Sequence, residues 1–149
     1  MIRHFVAIAC ALLLCAACST TTEAPSPLIG TWKLLKGTTI AGQDTTIVDY
    51  TQGQEMIKII SATHFAFLRH DLNHGKDSTA VYSAGGGRAA INGNKYTEYL
   101  DYFNAREWEG NTFEFEYTIH GDTLTTKGIE KVEKAGVDHL NMEVFVRVR

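Results

Sequence analysis

The sequence predicts an all-β fold, an antiparallel up-and-down meander closed into a β-barrel of roughly eight to ten strands. Three observations carry that prediction. Glycines at 42, 53, 75, 85–87, 93, 110, 121 and 136 cut the chain into strand-length segments, and both prolines, Pro25 and Pro27, precede all of them. Hydrophobic side chains alternate with polar ones along several of these segments. An aromatic residue, Trp32, opens the first segment and a cation, Arg147, nearly ends the last. An indole covering one end of a barrel with a guanidinium on its face is a contact worth ~0.5–2 kcal/mol.

Before the folded body, Phe5 to Ala17 is an unbroken apolar run of 13 residues behind Arg3 and His4. A bilayer crossing takes about 20 residues, so residues 1–17 read as a signal peptide. The run ends Leu14-Cys15-Ala16-Ala17-Cys18-Ser19, small residues before a cysteine, which resembles the lipobox of bacterial lipoproteins with Cys18 as the lipidated residue. Simple cleavage after Ala17 is the alternative. All three cysteines fall at or before position 18, so the exported body has no thiol and its core alone must hold it. Residues 18–27 then read as a lipidated cysteine followed by a disordered tether, and residues 28–149 as the barrel.

Strands are predicted near 30–36, 45–50, 55–61, 64–70, 77–84, 88–92, 95–103, 112–119, 123–131 and 138–148, with a helical turn at 105–109. Asn92-Gly93-Asn94 and His120-Gly121-Asp122 are tight-hairpin signals, because Asn and Gly accept positive φ. Phe113, Phe115, Tyr117 and Ile119 share one face of their strand. Phe65, Phe67 and Arg69 share another, as do Glu143, Phe145 and Arg147. Tyr96, Glu98, Leu100 and Tyr102 make a fourth set. A meander of this kind must close or leave long edges open, and closure is the expectation.

Composition excludes some partners. Removing residues 1–17 takes away Arg3 and no acid, so the net charge of −3 becomes −4, and scattered signs argue against nucleic acid. His70-Asp71-Leu72-Asn73-His74 has metal-capable groups, but Gly75 places them on a turn and no metal site is predicted. Gly85-Gly86-Gly87-Arg88 lacks the ending of a phosphate loop and reads as a turn or bulge, and no cofactor is implied. No Gly-x-Ser-x-Gly elbow or His-Glu-x-x-His occurs, and the chain is not read as an enzyme.

The Gly30-Thr31-Trp32 start, the meander and the terminal arginine together resemble a lipocalin-like domain of the calycin superfamily, and more narrowly the small exported lipocalin-like proteins of Bacteroidetes. Gly85-Gly86-Gly87-Arg88 through Tyr96-Thr97-Glu98-Tyr99, Gly121-Asp122-Thr123-Leu124-Thr125 and Glu143-Val144-Phe145-Val146-Arg147 are similar to the pattern those proteins share. The resemblance covers roughly residues 28–149 and implies a barrel around a cavity for a small, partly apolar molecule. Trp32 and Arg147 would be its closing pair, with Arg149 as the other candidate for the cation.

Candidate cavity residues are Phe67, Arg69, Tyr82, Tyr96, Glu98, Phe113, Phe115, Tyr117 and Glu143, with Tyr102 as a further hydroxyl. Charged groups that share a face with aromatics are where a ligand would be oriented. An inward Arg69 needs an acid such as Glu98 or a carboxylate ligand; otherwise Arg69 and Glu98 sit near strand ends in solvent. The aromatic stripe lines a pocket or, as is commoner for such stripes, is plain core. The leading expectation is a protein of the cell envelope, lipid-anchored to the membrane, that binds a small hydrophobic or amphipathic molecule. The alternatives are an interaction lipoprotein with a packed barrel, and an acid–base enzyme with Glu98 or Glu143 as base and a tyrosine as acid.

Overall fold

A computed structural model describes residues 24–149. The predicted signal peptide, the lipidation site Cys18 and the start of the tether lie outside the described residues. Nine strands follow in order: β1 Gly30–Ala41, β2 Asp44–Asp49, β3 Gln54–Ile60, β4 His64–Asp71, β5 Tyr82–Asn92, β6 Lys95–Phe103, β7 Thr112–His120, β8 Thr123–Val132 and β9 Val137–Arg147. Short 3-10 turns occupy Arg106–Trp108 and Glu133–Ala135.

Each strand from β3 to β9 pairs antiparallel with the next, and β9 pairs back onto β1. Eight strands therefore close the barrel, and β2 is an extra strand. Closure depends on an irregularity in β1. The β1–β9 register slips between Leu34 and Lys36, leaving Leu35 as an extra residue. A bulge of this kind bends its strand. The first half of β1, Gly30–Lys33, pairs with β3, while Lys36–Ala41 pairs with β2. Leu35 still offers its carbonyl to the Tyr50 N–H at 2.9 Å, which draws the end of β2 to the bend.

The predicted strands at 77–84 and 88–92 are a single strand, β5, with Gly85–Gly87 in its middle. A Cβ on Gly86 would stand 2.4 Å from the Phe65 carbonyl oxygen, and one on Gly87 2.0 Å from that of Tyr99. The glycines thus let β5 pass close to β4 and β6 in a tightly coiled sheet. Residues 72–81 form a loop instead. Asp71, buried at its root, accepts hydrogen bonds from the N–H groups of Gly75 at 2.8 Å and Val81 at 3.1 Å.

One half of the barrel is solid. Leu28, Trp32, Leu34, Ile60, Tyr96, Leu124 and Phe145 are sealed there. Trp32 and Arg147 are cross-strand partners, and the guanidinium carbon lies 4.0 Å from the indole centroid. The Trp32 Nε1–H donates to the Leu28 carbonyl at 2.8 Å. Arg147 also donates to the carbonyls of Pro27 and Ile29, at 2.6 and 3.2 Å, so it ties the incoming chain to the base. Arg149 turns instead to Asp122, at 2.5 Å.

Candidate functional site: a two-sided cavity

The other half of the barrel holds a cavity of about 260 Å³. An eight-stranded barrel has an interior that side chains fill or that one small ligand occupies, and here the two outcomes are stacked end to end. The cavity has unlike walls. Phe67 on β4, Leu100 and Phe103 on β6, Trp108 in the turn after β6, and Phe113 on β7 form an apolar side. The Phe103 ring packs edge-on to Phe67 at 5.3 Å and to Trp108 at 6.0 Å. Glu130 on β8 and His139, Asn141 and Glu143 on β9 form an ionisable side.

Lys58 lies between the walls. Its side chain comes inward from β3, with Met56 above it and Ile60 below on the same face. Lys58 is 5 % exposed and Glu98 6 %. The Lys58 Nζ donates to Glu98 at 2.9 Å and reaches Glu143 at 3.4 Å. It also stands over the Phe115 and Phe145 rings, 5.8 and 5.6 Å from their centroids. Burial by itself would lower its pKa, but Glu143 and Glu98 outweigh that and hold it above the usual lysine value, so the ammonium stays charged. Burial raises the Glu98 carboxyl, and Glu143 adds to the rise while Lys58 opposes it.

Glu130 is held by two groups of β9. His139 Nε2 lies 3.0 Å from one carboxylate oxygen, and Asn141 Nδ2 donates to the other at 3.0 Å. Burial, then the charge of Glu143, raises this carboxyl too. Arg69 lines the cavity beside Tyr50, its guanidinium carbon 5.2 Å from the ring centroid, and its Nε–H donates to Gln54 at 2.8 Å.

Of the nine side chains that the sequence offered for a cavity, Phe67, Arg69, Glu98, Phe113 and Glu143 line this one. Phe115 lies beneath it as the apolar support of Lys58. Tyr96 is deeper still, packed between Phe65 and Phe115, with its hydroxyl toward Glu98. Tyr117 belongs to the closed end, where its hydroxyl donates to the Gly93 carbonyl at 2.9 Å.

Tyr82 is a correction. It is 68 % exposed on the outer face, opposite His70, while its neighbour Ser83 takes the inward position. Tyr102 is outward for a different reason. The β5–β6 register skips Asp101, a bulge that exchanges the two faces of β6, so Phe103 enters the cavity and Tyr102 is left 72 % exposed. The expected partner of an inward Arg69 also changes, since Glu98 is engaged by Lys58.

Sequence reasoning missed Lys58, Glu130, His139 and Trp108. Strand parity carried a signal for three of them. Lys58 shares a face with Met56 and Ile60, Glu130 with Leu124 and Val132, and His139 with Asn141, Glu143 and Phe145. Among the described residues, no three His, Cys, Asp or Glu side chains gather to hold a metal ion. Neither a protein-family model nor a curated protein matches this chain.

Proposed function

We propose that the protein is an exported, lipid-anchored, lipocalin-like carrier or sensor that binds one small, partly apolar molecule in this cavity. The carrying observation is the unlike pair of walls, aromatic on β4–β7 and hydrogen-bonding on β8–β9. Ligand sites pair mostly apolar lining with a few fixed polar groups, in volumes of roughly 300–1,000 Å³. A cavity of about 260 Å³ lies just below that range and suits a small molecule. The anchor and envelope location rest on the sequence of residues 1–18, and the likeness to lipocalin-like proteins on the closed antiparallel barrel.

Binding is favoured over acid–base catalysis because the cavity carboxylates are engaged: Glu98 and Glu143 by Lys58, Glu130 by His139 and Asn141. A general base must be within reach of the proton that it takes, and a base held by a partner must first give it up.

The test uses the two tryptophans. The purified protein is exposed to a lipid and metabolite extract, and co-purifying mass is read by native mass spectrometry. Bound material should quench Trp108 and leave Trp32 unchanged, so a Trp108→Phe variant should lose the fluorescence response. A protein that retains no mass and gives no response overturns the reading.

One observation favours a second reading, an interaction lipoprotein. Ile59, Leu68, Tyr82 and Tyr102 are exposed on the outer faces of β3–β6, where an envelope partner could sit. Exposure to solubilised envelope proteins that leaves protein mass bound, with no small-molecule mass bound from the extract, would support it.

A further inference from the structure

We infer that the ligand of this cavity carries a carboxylate and that Arg69 is the residue that reads it. The inference rests on the small-molecule reading above and names the chemistry of its ligand. It comes from the partners of the charged side chains that line the cavity. Lys58 is taken by Glu98 and Glu143, and Glu130 by His139 and Asn141. Among the described residues, Arg69 is the charged lining group that no counter-ion meets within 4.0 Å.

Arg69 is nevertheless held in place. Its Nε–H is fixed on Gln54 at 2.8 Å, and the guanidinium carbon stands 5.2 Å from the Tyr50 ring centroid. Those contacts leave both terminal amino groups of a partly buried, oriented guanidinium uncommitted. A planar fork of this kind matches a carboxylate through two parallel hydrogen bonds. Ser83, directly across the sheet from Arg69 and also lining the cavity, adds a hydroxyl at the same level. The apolar wall of Phe67, Phe103 and Trp108 then takes the body of the molecule.

An amine would meet the opposite situation. Each carboxylate that it could pair with is already bound, and the unpaired charge in the cavity has the same sign as its own. A cation therefore has to share a carboxylate with Lys58 or His139 and meets the charge of Arg69, whereas an anion meets a guanidinium with no counter-ion.

Three matched probes decide the matter: 3-phenylpropanoate, 3-phenylpropanamide and 3-phenylpropylamine, titrated into the full mature protein with calorimetry and Trp108 fluorescence as readouts. The carboxylate should bind about 10- to 100-fold more tightly than the amide, as charge-assisted hydrogen bonds imply. Arg69→Gln should remove that difference by weakening the carboxylate far more than the amide, and Arg69→Lys should restore part of it. Equal binding of amide and carboxylate, or preference for the amine, overturns the role of Arg69 and leaves the small-molecule reading standing. Failure of all three probes to bind overturns the carboxylate inference, and together with no mass retained from the extract it overturns the small-molecule reading as well. The wild-type comparison needs no variant to fold, and thermal melting of both Arg69 variants separates lost binding from lost structure.

Discussion

Lys58 on β3 and Glu98 on β6 meet across the barrel interior at 2.9 Å, both nearly excluded from solvent, with Glu143 of β9 at 3.4 Å on the same ammonium. One cation thus joins three strands that share no ladder. A buried ion cluster adds little net stability, because desolvation opposes the Coulomb gain, but removing one member leaves the others uncompensated. Lys58→Met should destabilise the protein by about 3–5 kcal/mol in urea denaturation at neutral pH. Adding Glu98→Gln and Glu143→Gln to that variant should recover most of the loss. A single variant as stable as the wild type would show that water reaches the cluster.

Trp32 and Arg147 close the opposite end. The indole is fully buried, and it donates a hydrogen bond to Leu28 while carrying the guanidinium on its face. Trp32→Ala should cost about 3–5 kcal/mol, the range for emptying a large aromatic site. Arg147→Ala should lose less and act differently: it releases the carbonyls of Pro27 and Ile29, so amide exchange should rise at residues 28–31 before the barrel as a whole weakens. Unchanged exchange there would remove Arg147 from the closure.

The architecture was largely legible and the site only half so, for a reason visible in single strands. β4, β7 and β9 alternate strongly enough to place Phe67, Arg69, Phe113 and Glu143 on the inner face. In β3, Met56-Ile57-Lys58-Ile59-Ile60 is apolar on both faces, and a rule that puts lysine outside gives the wrong parity. What overrides that rule is the pair of inward acids on β6 and β9, a contact across the barrel that no single segment contains. The Asp101 bulge is likewise local in its effect and distant in its cause, since it depends on how closely β5 can approach through Gly86 and Gly87.

That approach is itself testable. A Cβ at Gly87 would lie 2.0 Å from the Tyr99 carbonyl and 2.7 Å from the Asp101 N, both backbone atoms that cannot swing aside. Gly87→Ala should therefore destabilise by about 1–3 kcal/mol or more and shift the resonances of Tyr99 to Tyr102 as the bulge moves. Gly93→Ala is the contrasting case. Its φ of +59° opposes any side chain, yet nothing lies within 4 Å, so the change should cost about 1–2 kcal/mol and leave β6 undisturbed. Equal chemical-shift patterns in the two variants would separate the bulge from the glycine run.

Glu130 supplies the pH dependence. Burial, then the charge of Glu143, raises its carboxyl above the usual glutamate value of 4.5, while the bonds from His139 and Asn141 and the charge of Lys58 pull the other way. The folded protein thus holds this proton more tightly than the unfolded chain does. Ionising Glu130 weakens the fold, and its contribution to stability falls as pH rises from 4.5 through the folded value. Asp49, Asp77 and Asp101 are shifted down, so they act in the opposite sense, losing their contribution as pH falls below the ordinary carboxylate range. They are common to wild type and variant and cancel in a comparison. Glu130→Gln keeps an acceptor for Asn141 and removes the charge that faces Glu143. Its stability relative to wild type should improve between pH 4.5 and pH 7.5 in parallel urea denaturation series. A relative stability that worsens over that interval would mean that the Glu130–His139 pair, and not its neighbours, sets the charge of this wall.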